Sequence, residues 1–290
     1  MAQREFDEVA KQYTTGHEWD GIAELENPVP NWWIVTFLIC IAVAVAYMWA
    51  YPSAPGLRGF YPGALGYTQV KALAQSQADA AAAQLEWRTK IAAMPLAAIE
   101  SDDATRRFAE SAGRAVFLQN CAPCHGQNAT GQAGLFPNLA DNDWIWGGKL
   151  DDIYTTLQHG IRNDDPDSRG TIMPSFGADG ILTAPQIDQV AAYVLTLRDP
   201  AQNTARAKLP GAQIFADNCA SCHGDHGQGS HDFGAMALNG QVWLYGSTKA
   251  DIIRQVTKPR LGVMPAFGKR LDDVTRKLVT VYVHTLGGGE

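Results

Sequence analysis

One apolar run dominates the hydrophobic pattern: Trp33 to Trp49 (WIVTFLICIAVAVAYMW) contains no charged residue, proline or glycine. With Trp32, Ala50 and Tyr51 it reaches about 20 residues, the length a helix needs to cross a hydrocarbon core of about 30 Å. Trp32 and Trp33 stand at one end and Tyr47, Trp49 and Tyr51 at the other, where amphipathic rings settle at headgroup level. A secretory signal would open with basic residues near the N-terminus and close at a small-residue cleavage site. Here an acidic arm comes first. The pattern predicts a transmembrane helix over 32–51 behind an arm over 1–31, whose Asn27-Pro28-Val29-Pro30 keeps the helix from starting earlier.

Beyond the run, Pro52, Pro55 and Pro62 with Gly56, Gly59, Gly63 and Gly66 read as an irregular connector. From Tyr67 to about Ala93 the chain is rich in Ala, Gln, Lys and Glu without proline or glycine, which predicts a helix ended by Pro95. Its apolar stripe (Val70, Leu73, Ala74, then Leu85 and Ile91) is thin, so this helix needs a partner. Residues 52–105 form this connector and helical segment.

The remainder is an internal repeat. GRAVFLQNCAPCHG, with Gly113 eight residues before Cys121, is answered by GAQIFADNCASCHG, with Gly211 eight residues before Cys219. Trp144-Ile145-Trp146-Gly147 is answered by Trp243-Leu244-Tyr245-Gly246, and Met173-Pro174-Ser175-Phe176-Gly177 by Met264-Pro265-Ala266-Phe267-Gly268. Each copy ends in an apolar helix, at 192–197 and 281–286. Four landmarks in one order predict two copies of one domain, 106–199 and 206–290, joined by a short polar linker. The predicted fold class is mainly α: an N-terminal transmembrane helix followed by two tandem copies of one small helical domain.

Net charge is −7, which argues against nucleic acid as a partner. Of five cysteines, four sit in Cys121-Ala122-Pro123-Cys124-His125 and Cys219-Ala220-Ser221-Cys222-His223; Cys40 lies in the apolar run. Cys-x-x-Cys-His puts two thiols one helical turn apart, able to add to the two vinyl groups of haem, with the histidine facing the iron. A zinc ribbon would place its pairs about 15–20 residues apart, and these lie nearly a hundred apart. A thioredoxin-like pair would adjoin a βαβ pattern, and the sequence shows none. Two covalently bound haem c groups are expected, which makes the mainly α fold one transmembrane helix followed by two tandem class I-like cytochrome c domains.

For the opposite axial position, Met173 and Met264 occupy equivalent loop positions before proline, where a thioether ligand would raise the reduction potential. The competing role is that of methionine as core filler. His159, His226, His231 and His284 are alternative ligands, with structural or surface roles as the other reading. The carbonyl of Pro137 is a candidate acceptor for the second nitrogen of His125; the second copy has Met236 there and lacks the proline. The Trp-rich strings wall a haem, contact its propionates or fill the core. The first copy carries an extra charged string, 163–169, read as a solvated insertion, with a docking surface as the alternative. With both axial positions filled, each iron is an electron relay with no open site, and no separate catalytic constellation is visible.

The arm HEWDGIAELENPVPNWW (His17 to Trp33), the single span, the helical segment and two haem domains in this order resemble the dihaem subunit of cbb3-type cytochrome c oxidases, called CcoP or FixP. The resemblance covers essentially the whole chain. It implies a non-catalytic electron-transfer subunit of a proton-translocating oxidase. Electrons would pass from a cytochrome c donor toward the monohaem subunit and the haem–copper subunit that reduces oxygen. It implies Cys121, Cys124, Cys219 and Cys222 as thioether residues, and His125, His223, Met173 and Met264 as axial ligands. Repeat symmetry alone pairs each methionine with the haem of its own copy, whereas the resemblance raises an exchanged pairing. A stand-alone anchored dihaem shuttle and the cytochrome subunit of a periplasmic dehydrogenase stay open as alternatives. Because bacteria attach haem c outside the cytoplasmic membrane and both motifs follow the span, the expected orientation puts the N-terminus in the cytoplasm and the haem domains in the periplasm.

Overall fold

The computed structural model describes residues 4–53, 55–56 and 59–288. Two compact units divide between Ala83 and Gln84.

In the first unit the acidic arm is folded. β1 (Phe6–Asp7), β2 (Gln12–Trp19) and β3 (Ile22–Leu25) form an antiparallel sheet in that order. Asp20 and Gly21, with φ of 51° and 84°, make the two-residue turn that pairs Trp19 with Ile22. Two successive left-handed residues are what a tight hairpin demands, and Asp-Gly supplies them at low cost. Trp19 Nε1 donates to Glu24 Oε1 at 3.0 Å across the turn.

α1 (Asn31–Ala50) begins straight after Pro30, one residue earlier at each end than the hydrophobic run predicts. Leu38, Ile39 and Val43 are more than half exposed on it (57%, 58% and 61%). Water penalises such surface at about 25 cal/mol per Å², so the helix requires an apolar surround. Its last carbonyls, which lack partners within a helix, are met by the connector: Ala64 N donates to Trp49 O at 2.9 Å and Leu65 N to Ala50 O at 3.1 Å. β4 (Pro55–Gly56) and β5 (Gly59–Phe60) pair as a small hairpin. α2 (Gln69–Ala92) follows, close to the 67–93 expected.

The second unit is helical. α3 (Leu96–Ser101) precedes the first copy, to which α4 (Asp103–Asn120), α5 (Ala122–His125), α6 (Leu150–His159) and α7 (Ala184–Thr196) belong; a short turn and α8 (Asn203–Arg206) link it to α9 (Gly211–Asn218), α10 (Ala220–His223), α11 (Lys249–Thr257) and α12 (Asp273–His284). Thr183 with Gln186 and Thr248 with Asp251 form capping boxes on α7 and α11, which satisfy the first free amides of those helices.

The packing crosses between copies. Phe117 of α4 and Ile153 and Leu157 of α6 cluster with Phe267 and with Val279, Tyr282 and Val283 of α12. Reciprocally, Ile187, Val190 and Val194 of α7 cluster with Phe215 of α9 and Ile252 and Val256 of α11. A further cluster seats Ile91, at the end of α2, with Ile99, Ala109 and α12's Leu278 and Val281. Each sequence copy therefore lends its last helix to the core of the other.

Two glycines permit these crossings. A Cβ on Gly113 would lie 2.3 Å from Leu278 O, and one on Gly211 would lie 2.2 Å from Gln189 O. Backbone faces backbone there, so no side chain can yield. Gly113→Ala or Gly211→Ala should cost about 1–3 kcal/mol, the usual penalty of overpacking. A lower melting temperature of the full chain, followed by circular dichroism in detergent, is the expected result; an unchanged one contradicts the close crossing.

Candidate functional site

Each cysteine–histidine motif hangs from the end of a helix. Cys121 closes α4 and Cys219 closes α9, and α5 and α10 are the single turns that carry Cys124, His125, Cys222 and His223. His125 N donates to Cys121 O and His223 N to Cys219 O, both at 2.9 Å. These bonds hold thiols and imidazole on one turn. Burial, and next the neighbouring thiol, push Cys121 and Cys219 up to about 11, so both are protonated at neutral pH.

The imidazoles are oriented by backbone. His125 Nδ1 lies 3.1 Å from Pro137 O and His223 Nδ1 lies 3.0 Å from Met236 O. A carbonyl only accepts, so the proton is on Nδ1 and the Nε2 lone pair is left for a metal. Burial also lowers both histidine pKa values, against the opposing pull of these carbonyls, and so favours the neutral, ligating form. Met236 does the work of Pro137 because the acceptor is main chain.

A cavity beside the second motif is lined by Cys219, Cys222, His223 and Met173, with Ile145 and Arg162 reaching in from the first copy. Met264 packs in the cluster that contains Cys121, Phe117 and Leu157. The structure thus brings Met173 together with the second motif and Met264 together with the first. Thiol pair, Nδ1-tied imidazole, facing thioether and apolar walls are the donor set and cradle that a covalently bound haem needs.

Strap contacts hold the crossing in register. Ile161 and Met264 exchange backbone hydrogen bonds at 2.9 and 3.0 Å, Phe267 N donates to Leu157 O, and Ala178 N donates to Thr257 O. Asn163 Nδ2 donates to Met264 O at 2.7 Å. Arg169 donates from Nε to Thr156 Oγ1 and lies over the Trp146 ring at 5.2 Å. The string 163–169 is therefore not a solvated insertion throughout: Asp164 and Asp167 are exposed, but Asn163 and Arg169 are half-buried, Asn163 bonded to the Met264 strap and Arg169 to α6.

The alternative histidines have other partners. His159 Nδ1 sits 3.0 Å from Asp165 Oδ1, His284 Nδ1 sits 2.5 Å from Glu100 Oε1, and His226 and His231 are exposed. Of the Trp-rich strings, Trp243 walls the cavity beneath the Arg198 guanidinium, 4.3 Å away. Trp146 is buried against Gly234, where a Cβ would lie 2.1 Å from its ring. Ile145, within the first Trp-rich string, lines the cavity as one reading of that string expected, whereas Arg162 was not foreseen as a site residue. Arg162 adjoins a string whose charge masked its role.

Comparison with known proteins agrees along the whole chain. Residues 11–58 match the family model of the N-terminal domain of cytochrome oxidase-cbb3, FixP. Residues 110–198 match cytochrome c, and residues 206–283 match cytochrome c oxidase, cbb3-type, subunit III. The CcoP subunit of the cbb3-type oxidase of Azospirillum brasilense is 47% identical over 100% of both chains. That of Cereibacter sphaeroides is 46% identical over 96% of this chain and 95% of its own. The FixP subunit of Rhizobium etli is 45% identical over 100% of both.

If each copy closes the other, neither stands alone. Cutting the chain after residue 202 strips α12 from α4 and α6 and uncovers the Phe117 cluster. Each apolar side chain so exposed is worth about 1.5–3 kcal/mol, against a total stability of about 5–15 kcal/mol. The fragments 84–202 and 203–290 should each melt without cooperativity and regain a single sharp transition when co-expressed. Cooperative melting of 84–202 by itself would contradict the crossed packing.

Proposed function

We propose that this chain, which belongs to the CcoP/FixP subunit family of cbb3-type cytochrome c oxidases, carries electrons from a cytochrome c donor toward the monohaem and haem–copper subunits of its complex. As a member of that family it is an electron-transfer subunit with two covalently bound haem c groups, and oxygen is reduced elsewhere in the oxidase. When bound, each haem supplies a one-electron Fe(III)/Fe(II) couple.

The observation that carries the reading is the paired arrangement of motif, tied imidazole and facing methionine, present twice within one unit. Cys121 and Cys124 hold the first haem and Cys219 and Cys222 the second; His125 and His223 are the proximal ligands. Met264 completes the first site and Met173 the second. In support of that exchanged pairing, Met173 lines the cavity of His223 and Met264 packs beside Cys121. A neutral ligand set in an apolar surround favours the less charged ferrous state, and methionine strengthens that preference. Pro137 and Met236, whose carbonyls orient the two histidines, line one common cleft. The proximal sides of the two sites thus meet there, and this juxtaposition gives electrons a short path between them.

α1 anchors the chain in the bacterial inner membrane, with the arm in the cytoplasm and both haem sites in the periplasm, because thioether attachment takes place outside the cytoplasmic membrane. Basic residues are sparse on both sides of α1 (Arg4 and Lys11 before it, Arg58 and Lys71 after it), so charge bias gives no contrary direction.

Solubilisation in mild detergent should recover this chain with haem b and copper. His125→Ala or His223→Ala should abolish oxygen uptake driven by reduced cytochrome c. Recovery of the chain alone, without haem b or copper, would remove the oxidase assignment. For the ligand pairing, Met264→Leu should erase the far-red methionine–iron(III) band of the first haem and Met173→Leu that of the second. The opposite correspondence would restore the pairing within each copy.

A further inference from the structure

The two methionine straps meet at one side chain. Arg162 Nε donates to Gly262 O at 2.7 Å and Arg162 Nη1 donates to Thr171 O at 3.1 Å. Thr171 lies two residues before Met173 and Gly262 two residues before Met264, so these carbonyls are equivalent positions of the two copies. A single guanidinium therefore spans the pseudo-symmetric pair. It also lines the cavity that contains His223 and Met173.

Arg162 is itself held firmly. Its φ is 50°, a left-handed conformation that a long side chain adopts at a cost of about 1–3 kcal/mol and keeps only where the surroundings impose it. The surroundings do so: Arg162 N donates to Arg169 O at 3.0 Å, and the preceding Ile161 is paired in both directions with Met264. Gly262 is gripped from its other side as well, since its N–H donates to Tyr245 Oη at 3.1 Å. The planar fork of arginine reaches two carbonyls at once, which the single ammonium of lysine does not reproduce.

We propose that Arg162 is a positioning residue shared by both axial methionines, fixing the Met173 and Met264 straps to one another through Thr171 and Gly262. The inference rests on the methionine ligation put forward above. It adds that the two distal ligands are mechanically coupled, so that one substitution loosens both.

The test uses the full-length chain in its purified complex and follows the far-red methionine–iron(III) band of each haem as pH is raised. Met173→Leu and Met264→Leu assign the band to one haem or the other. Arg162→Gln is expected to bleach the band of both haems about tenfold more readily, the effect of losing one charge-assisted hydrogen bond at each strap, read as a fall of about one pH unit in both midpoints. Arg162→Lys keeps the charge but not the fork and is expected to behave like the glutamine variant. A shift at one haem only, at neither, or full rescue by lysine overturns the shared clamp. Should both methionine variants leave the band intact, the ligand assignment itself fails and the clamp with it. Where each methionine variant loses its own band and Arg162→Gln bleaches as the parent does, the clamp fails alone.

Discussion

The backbone approach of α4 to α12 at Gly113, and of α9 to α7 at Gly211, governs the second unit. At both places a peptide of one helix lies where a side chain of the other would be, and at both places the two helices come from different copies of the repeat. Once α7 lies on α9, the strap just before it, with Met173, is delivered to the second motif. Once α12 lies on α4, the strap with Met264 is delivered to the first. The placement of each methionine beside the other copy's motif is thus a consequence of helix exchange, and helix exchange depends on two missing Cβ atoms.

The sites inherit their chemistry from the same burial. Desolvation lowers the His125 and His223 imidazoles, which favours their neutral, ligating form. Orientation comes from main chain: Pro137 O and Met236 O fix the tautomers, and Ile161 fixes Met264 through reciprocal amide bonds. Main-chain acceptors are indifferent to the side chain that follows them, which is why loss of the proline in the second copy leaves the histidine contact unchanged. The copies differ instead around their straps. The Met264 strap is wrapped by residues 161–163, whereas the Met173 strap leans on Thr257 O and the Arg162 fork.

Much of this was legible in the residues. The span stood out by length and aromatic ends and lies one residue from where the pattern put it. The repeat, both cysteine–histidine motifs, the two methionines and the Pro137 contact could all be read from spacing and residue type. The hairpin at Asp20-Gly21 had its signal in plain view, a turn dipeptide between apolar residues, but an acidic lead before a membrane helix drew the eye to charge instead. The crossed packing was not legible from the repeat itself. Two copies with equivalent apolar faces satisfy the same hydrophobic pattern whether each helix packs at home or abroad, so only tertiary geometry decides. Nor could charge alone reveal that Asn163 and Arg169 face inward while Asp164 and Asp167 face water.

The crossing also bears on electron transfer. Two independent domains on the short linker of residues 200–205 would keep their sites near each other, yet free to tumble, and the tunnelling distance would vary with every reorientation. Shared cores remove that freedom. α7 cannot leave α9 without exposing Val190 and Phe215, and α12 cannot leave α4 without exposing Phe117 and Val279, all nearly or fully buried. The cost of separation is then paid in apolar area rather than in a few surface bonds. The common cleft between Pro137 and Met236 keeps its width for the same reason. A relay built this way gains a constant spacing between its two irons, and the loss is that neither half can be altered or removed without disturbing the other.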